Sequence, residues 1–152
     1  MLLSILQKAS FLLLYVMIAK CFLTGMAYAT VGEISQIKGS GVLERSGNIV
    51  IDGAIGASVQ TMDTAVTANG TMRIEFIDET RVDITEQSRV VIDEFVYDPA
   101  NDVGSLSIKA SLGTVRYASG QIAKRYQQNV KISTPSATIG VRGTDFIMVV
   151  DE

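Results

Sequence analysis

From residue 30 onward, apolar and polar residues alternate with a period of two in short runs separated by Gly, Asn and Asp, and no segment sustains a helical period. In "TMRIEFIDETRVDIT", Met72, Ile74 and Phe76 share one face and Arg73 and Glu75 the other, after which Val82 and Ile84 alternate with Arg81 and Asp83. This is the pattern of a hairpin. A three-residue loop at Asp78, Glu79 and Thr80 sets Phe76 opposite Val82 and Ile74 opposite Ile84, whereas a two-residue loop would set Phe76 against Arg81. The preceding "TANG" reads the same way: with Ala68, Asn69 and Gly70 as loop and Gly70 left-handed, Val66 meets Met72 and Met62 meets Phe76.

Further strands follow from "SLSIKASLG", which places Leu106, Ile108, Ala110 and Leu112 on one face, and from "NVKIS", with Val130 and Ile132. The run "FIMVV" at 146 to 150 is apolar on both faces, which predicts a central or doubly covered strand. Residues 120 to 129, "GQIAKRYQQN", lack alternation and predict an exposed loop with at most one helical turn. Short strands turning every eight to twelve residues predict an all-β fold: a small β-sandwich, a β-roll or a short β-helix-like domain.

The first 29 residues depart from this pattern. "ASFLLLYVMIA" at 9 to 19 is an apolar core after Lys8, and "AYA" at 27 to 29 has the small residues of a secretory cleavage site, so residues 1–29 read as a signal helix cleaved after Ala29. The alternative is an uncleaved membrane anchor. Cleavage would leave residues 30–152, enough for a single domain, in a periplasmic or secreted location. Lys8 and Lys20 leave with the signal, so 11 of the 13 basic residues stand against all 16 acidic ones, a formal charge of −5. That disfavours nucleic acid as a partner, and leaves the membrane as a partner only through an uncleaved signal segment. The same 123 residues hold no Cys and no His, which removes the preferred ligands of zinc and most transition metals and the usual acid–base and nucleophilic partners. No cofactor, no metal and no enzymatic activity are expected.

Several groups of residues can be weighed for chemistry. In the proposed hairpin Glu75 faces Asp83, as a glycosidase carboxylate pair would, but Arg73 and Arg81 share that face and the four charges read as a solvated surface. Asp98, Asn101 and Asp102 in "DPANDVG" could offer oxygens to calcium, and equally satisfy the composition of a tight turn, which is the preferred reading. Tyr117 and Tyr126 with Arg116 and Arg125 form the candidate binding patch, with Tyr97 and Lys124 nearby, because Tyr and Arg favour interface centres.

Taken in order, "VGEISQIKGSGVLERSG", "VTANGTMRIEFIDETRVDITEQSRVVID", "SLGTVRYASG" and "VKISTPSATIGVRGTDF" resemble the extracytoplasmic domain of the FecR family across nearly all of residues 31 to 150. The most specific part is the ending, Thr134 and Pro135 followed by Arg142, Gly143, Thr144 and Phe146, read as structural. The acidic turn departs from the family, with Glu79 where Gly is common. The resemblance implies a sensing or binding module acting on an envelope protein, without the anti-sigma segment that accompanies this domain in regulators. The rival readings are a ligand- or glycan-binding envelope protein and a hydrolase using Glu75 and Asp83. In "TPSATIGVRGTDF" Pro135 is expected to begin a strand, Gly140 and Gly143 to allow bends, and Val141, Phe146 and Met148 to close the core. Some regulators of the family cut themselves at a Gly-Thr that Gly143 and Thr144 match; the structural reading of Gly143 is preferred.

Overall fold

The computed structural model describes residues 29–141 and 145–151. The signal segment and its cleavage site, and Arg142, Gly143 and Thr144, lie outside or at the margin of the described residues. Among these, twelve strands form one continuous sheet that curls on itself, so the expected all-β class holds. In chain order the strands are β1 (Thr30–Lys38), β2 (Gly41–Arg45), β3 (Ile49–Asp52), β4 (Ser58–Gln60), β5 (Thr64–Thr67), β6 (Thr71–Phe76), β7 (Arg81–Ile84), β8 (Ser88–Asp98), β9 (Val103–Ala118), β10 (Val130–Ser133), β11 (Thr138–Gly140) and β12 (Asp145–Val150). One short helix, α1 (Gln121–Arg125), and a 3-10 turn at Gln127–Asn129 separate β9 from β10.

The sixteen-residue β9 belongs to both halves of the sheet. Its first part pairs with β8 and, in parallel, with β10, and its last six residues pair with β7 and β12. The front half therefore runs β4-β1-β6-β7-β9-β12 and the back half β3-β2-β5-β8-β9-β10-β11. The bend falls at Gly113, whose φ of +90° suits only a residue without a Cβ, and a Cβ there would collide with the Ser88 side chain. The hydroxyls of this fold line satisfy its backbone. Ser88 Oγ accepts the Thr114 N–H at 3.2 Å, Thr67 Oγ1 accepts the Ser88 N–H at 3.1 Å, and Thr67 Oγ1 donates to the Thr85 carbonyl.

Bending brings the inner faces of the two halves onto one core. Ile34, Met72, Ile74, Val82, Ile84 and Val115 of the front half and Leu43, Ala65, Val90, Ile92, Leu106, Ile108 and Ile132 of the back half are buried together. Phe76 of β6 stacks on Phe95 of β8 across them, with centroids 5.2 Å apart.

Three expectations need correction. The hairpin joining β6 to β7 does have a three-residue loop, but it is Ile77 to Glu79: Ile74 pairs with Val82, Met72 with Ile84, and the Phe76 N–H donates to the Thr80 carbonyl at 2.9 Å. The faces are as expected and the register is two residues away. β5 and β6 form no hairpin, because β5 pairs with β2 and β8 in the back half while β6 pairs with β1 and β7 in the front. Gly70 is not left-handed; it is needed because a Cβ would strike the backbone around Lys38 and Ser40, where the two crossing connections touch. β12 is neither central nor covered. Among the described residues it has one neighbour, β9, and exposes Ile147 and Val149 by 65% and 62%.

Replacing Gly113 with Ala forces a left-handed residue and a collision with Ser88, and the expected loss of stability is about 2–4 kcal/mol by urea unfolding. Gly47, also left-handed but with open space around it, should tolerate Ala with about 1 kcal/mol of loss.

Candidate functional site

Three stretches singled out in the sequence meet in the front half: the β6–β7 hairpin, the end of β9 and the start of β12. Their outward side chains form a charged belt. In one row Arg73, Asp83, Arg116 and Ile147 stand opposite one another on β6, β7, β9 and β12, and in the next Glu75, Arg81, Ala118 and Asp145 do so. Arg73 grips Asp83 through two bonds, Nε to one oxygen and Nη2 to the other at 3.0 Å, and Arg116 lies 3.9 Å from Asp145. The hydrogen bond to Asp83 and the charge of nearby Glu75 hold the Arg73 guanidinium above its ordinary value. Between these side chains lies a shallow pocket of about 110 Å³ lined by Arg73, Arg81, Asp83, Arg116, Ala118 and Asp145. Three guanidinium groups and two carboxylates line it, and Glu75 across from Arg81 balances the charge of the belt as a whole, so what it offers is directed hydrogen bonding from Arg81 and Arg116.

The register also decides the carboxylate question. Asp83 faces Arg73 and Glu75 faces Arg81, so the two carboxylates are diagonal neighbours and do not stand opposite each other. On the other side of β6, Glu75 stands opposite Glu33 of β1. Both are exposed.

The candidate binding residues do not assemble into a surface. Alternation on β9 sends Arg116 outward and Tyr117 inward, where it is 0% exposed and stacked on Phe146 at 5.2 Å. Tyr126 is 7% exposed and rests its ring on Gly104, where any Cβ would strike it, while its hydroxyl donates to Asp102 at 2.9 Å. Burial raises both phenols above their ordinary value, reinforced at Tyr126 by Asp102. Arg125 lies 5.9 Å from the Tyr126 ring centroid and 3.6 Å from Asp102, at the opposite end of β9 from Arg116. Both arginines are exposed; both tyrosines belong to the core. Residues 120 to 129 hold the helical turn expected of them, and Lys124, Arg125 and residues 127 to 129 are exposed, but Ile122, Ala123 and Tyr126 are buried against the sheet.

Beneath the belt lies a buried network around the acidic turn. The Asp78 carboxylate accepts the Thr80 N–H at 3.1 Å, the Thr80 hydroxyl at 2.8 Å and the Ile122 N–H at 3.1 Å, and the Gly120 N–H donates to Thr80 Oγ1 at 3.1 Å. Gly120 lies so close that a Cβ would collide with the Asp78 and Thr80 backbone. Glu79 takes φ +68°, the conformation for which Gly is the easy choice. Sequence reasoning saw a turn here but not a buried anchor; the Asp-x-Thr spacing, which lets a carboxylate bond its own turn, was the available signal.

The ending of the chain is partly as expected. Val141 and Met148 are buried and Phe146 packs on the core. Pro135 does not begin a strand: it lies in a turn in which the Thr134 N–H donates to the Ala137 carbonyl at 2.7 Å and Thr134 Oγ1 accepts the Ala137 N–H at 3.0 Å. Gly140 has open space where a Cβ would sit.

A family model described as FecR protein matches residues 60–152, more than half of the chain. The chain belongs to the FecR family. The match leaves out residues 31 to 59, although β1 is paired between β6 and β4 in the same half-sheet as the motif. No curated protein and no solved structure matches the chain. FecR membership points to a signalling or sensing domain associated with the cell envelope.

In "DPANDVG" of this FecR chain, the Asp98 carboxylate closes the turn, accepting the Ala100 and Asn101 N–H groups at 3.2 Å and the Asn101 side chain at 2.6 Å. Those bonds hold Asp98 below its ordinary value, and Lys109 at 2.6 Å, with Ser107, does the same for Asp93. Groups whose folded value is depressed add stability that is present above the unfolded value of about 3.9 and is lost as pH falls through the folded one. The unfolding midpoint is therefore expected to fall as pH drops below about 4, with a shallower acid limb in Asp93→Asn. Asp78→Asn presents an amide to three donors and should cost about 2–4 kcal/mol at neutral pH, measured by urea unfolding.

Proposed function

We propose that this FecR-family chain is an exported, non-enzymatic sensing module that acts by binding another protein of the envelope through the outer face of its front half-sheet. Family membership over residues 60–152 carries the reading. The pocket of Arg73, Arg81 and Arg116 supports it, because Arg81 and Arg116 present exposed guanidinium groups from rigid strands to carboxylates on a partner. The arginines across from Asp83 and Glu75 also favour a recognition surface over a hydrolytic one. A glycan-binding role calls for aromatic platforms, and every Tyr and Phe among the described residues is buried or half-buried.

Photo-crosslinking residues placed at Arg81 and Arg116 in cells should capture one envelope protein, and the same residue at exposed Lys131 on the back half should not. Absence of any protein adduct, together with retention of an oligosaccharide by the purified chain, would overturn the reading.

A further inference from the structure

We infer that β12 pairs with β12 of a second copy of this chain, continuing the front half-sheet across a two-fold axis. A strand with one neighbour presents a row of unpaired N–H and C=O groups, and folded proteins blunt such edges with short length, Lys or Pro, or a bulge. The other outer strands follow that rule: β4 and β11 are three residues long and β3 is four. β12 breaks it. It runs for six residues in uninterrupted register with β9, contains no Lys, Pro or Gly, and turns Ile147 and Val149 to solvent.

The occupant follows from the symmetry of the strand itself. A two-fold interface needs a surface complementary to its own copy. Residues 145 to 151, "DFIMVVD", read nearly the same in both directions about Met148. Antiparallel pairing centred there places Ile147 opposite the partner's Val149 on the outer face, and Phe146 opposite the partner's Val150 on the inner face. Every apolar residue then keeps an apolar neighbour and its own side of the sheet. Asp145 meets the partner's Asp151 at each end, where Arg116, 3.9 Å from Asp145, supplies the opposing charge. One pair of strands buries less than a standard interface, so association is weak, with a dissociation constant in the range of about 1–100 µM. This pairing is separate from the sensing role: a monomeric chain would overturn it and leave the capture of an envelope partner unaffected.

Sedimentation of the purified full chain should show a monomer–dimer equilibrium that Ile147→Lys or Val149→Lys weakens by about tenfold or more, with an unfolding temperature unchanged at concentrations where the chain is monomeric, both sites being exposed there. Dependence on these residues separates the pairing from association through the apolar run at 9 to 19. Register is read by oxidation in a Cys21→Ser background: Ile147→Cys with Val149→Cys together should give a disulfide-linked dimer, because each thiol faces the other type, and either substitution alone should not. A chain that stays monomeric to about 0.1 mM, a dimer indifferent to both lysines, or crosslinking by the single variants equal to the double would overturn the inference.

Discussion

The fold depends on a bend in one strand. Sixteen residues of β9, if straight, would extend about 50 Å and leave the inner face of a wide sheet in water. The left-handed Gly113 breaks that line, and the two halves then bury each other's apolar faces. Every other connection along the line answers to the same bend. β1 passes to β2 at Gly39 and Ser40, β5 to β6 at Ala68 to Gly70, and β7 to β8 at Thr85 to Gln87, each carrying the chain from one half to the other. Thr67 and Ser88 lie buried on the line because a bend interrupts ladder bonds, and the freed groups need partners other than water.

The same bend gathers three of the stretches that carry the family resemblance. The acidic turn, the end of β9 and the beginning of β12 lie far apart in sequence, yet all belong to the front half. Asp78 anchors the first to α1, Tyr117 and Phe146 stack the second on the third, and Arg116 reaches diagonally to within 3.9 Å of Asp145 above them. Polar anchor and aromatic stack lie inside while the charges lie outside, so these stretches hold the half-sheet rigid and present its charged face.

What the sequence disclosed, and what it withheld, divides along physical lines. Alternation placed Met72, Ile74, Phe76, Val82 and Ile84 inside correctly, because burial depends only on parity. It could not place β5 against β2 rather than β6, since two consecutive strands with a Gly-containing connection look the same whether they pair or part. It sent Tyr117 to a binding patch although its own parity with Val115 pointed inward, a case where residue type outweighed periodicity. Tyr126 went the same way, and Ile122 and Ala123 were passed over because two apolar residues in one turn of helix make too short a pattern to register. In β12 the doubly apolar run was read as covered, whereas the strand lies at an edge.

The register of the acidic hairpin shows how far a small packing choice reaches into chemistry. Hydrophobic parity allows Phe76 to pair with either Val82 or Thr80, since both choices keep the inner residues inside. The bonds from Thr80 and Ile122 to the Asp78 carboxylate favour the second, for they need Asp78 and Thr80 drawn together at the tip. That choice carries Asp83 from Glu75 to Arg73, exchanging a pair of like charges for a two-pronged ion pair. A buried carboxylate at the turn thus determines that the outer face is a ladder of opposite charges.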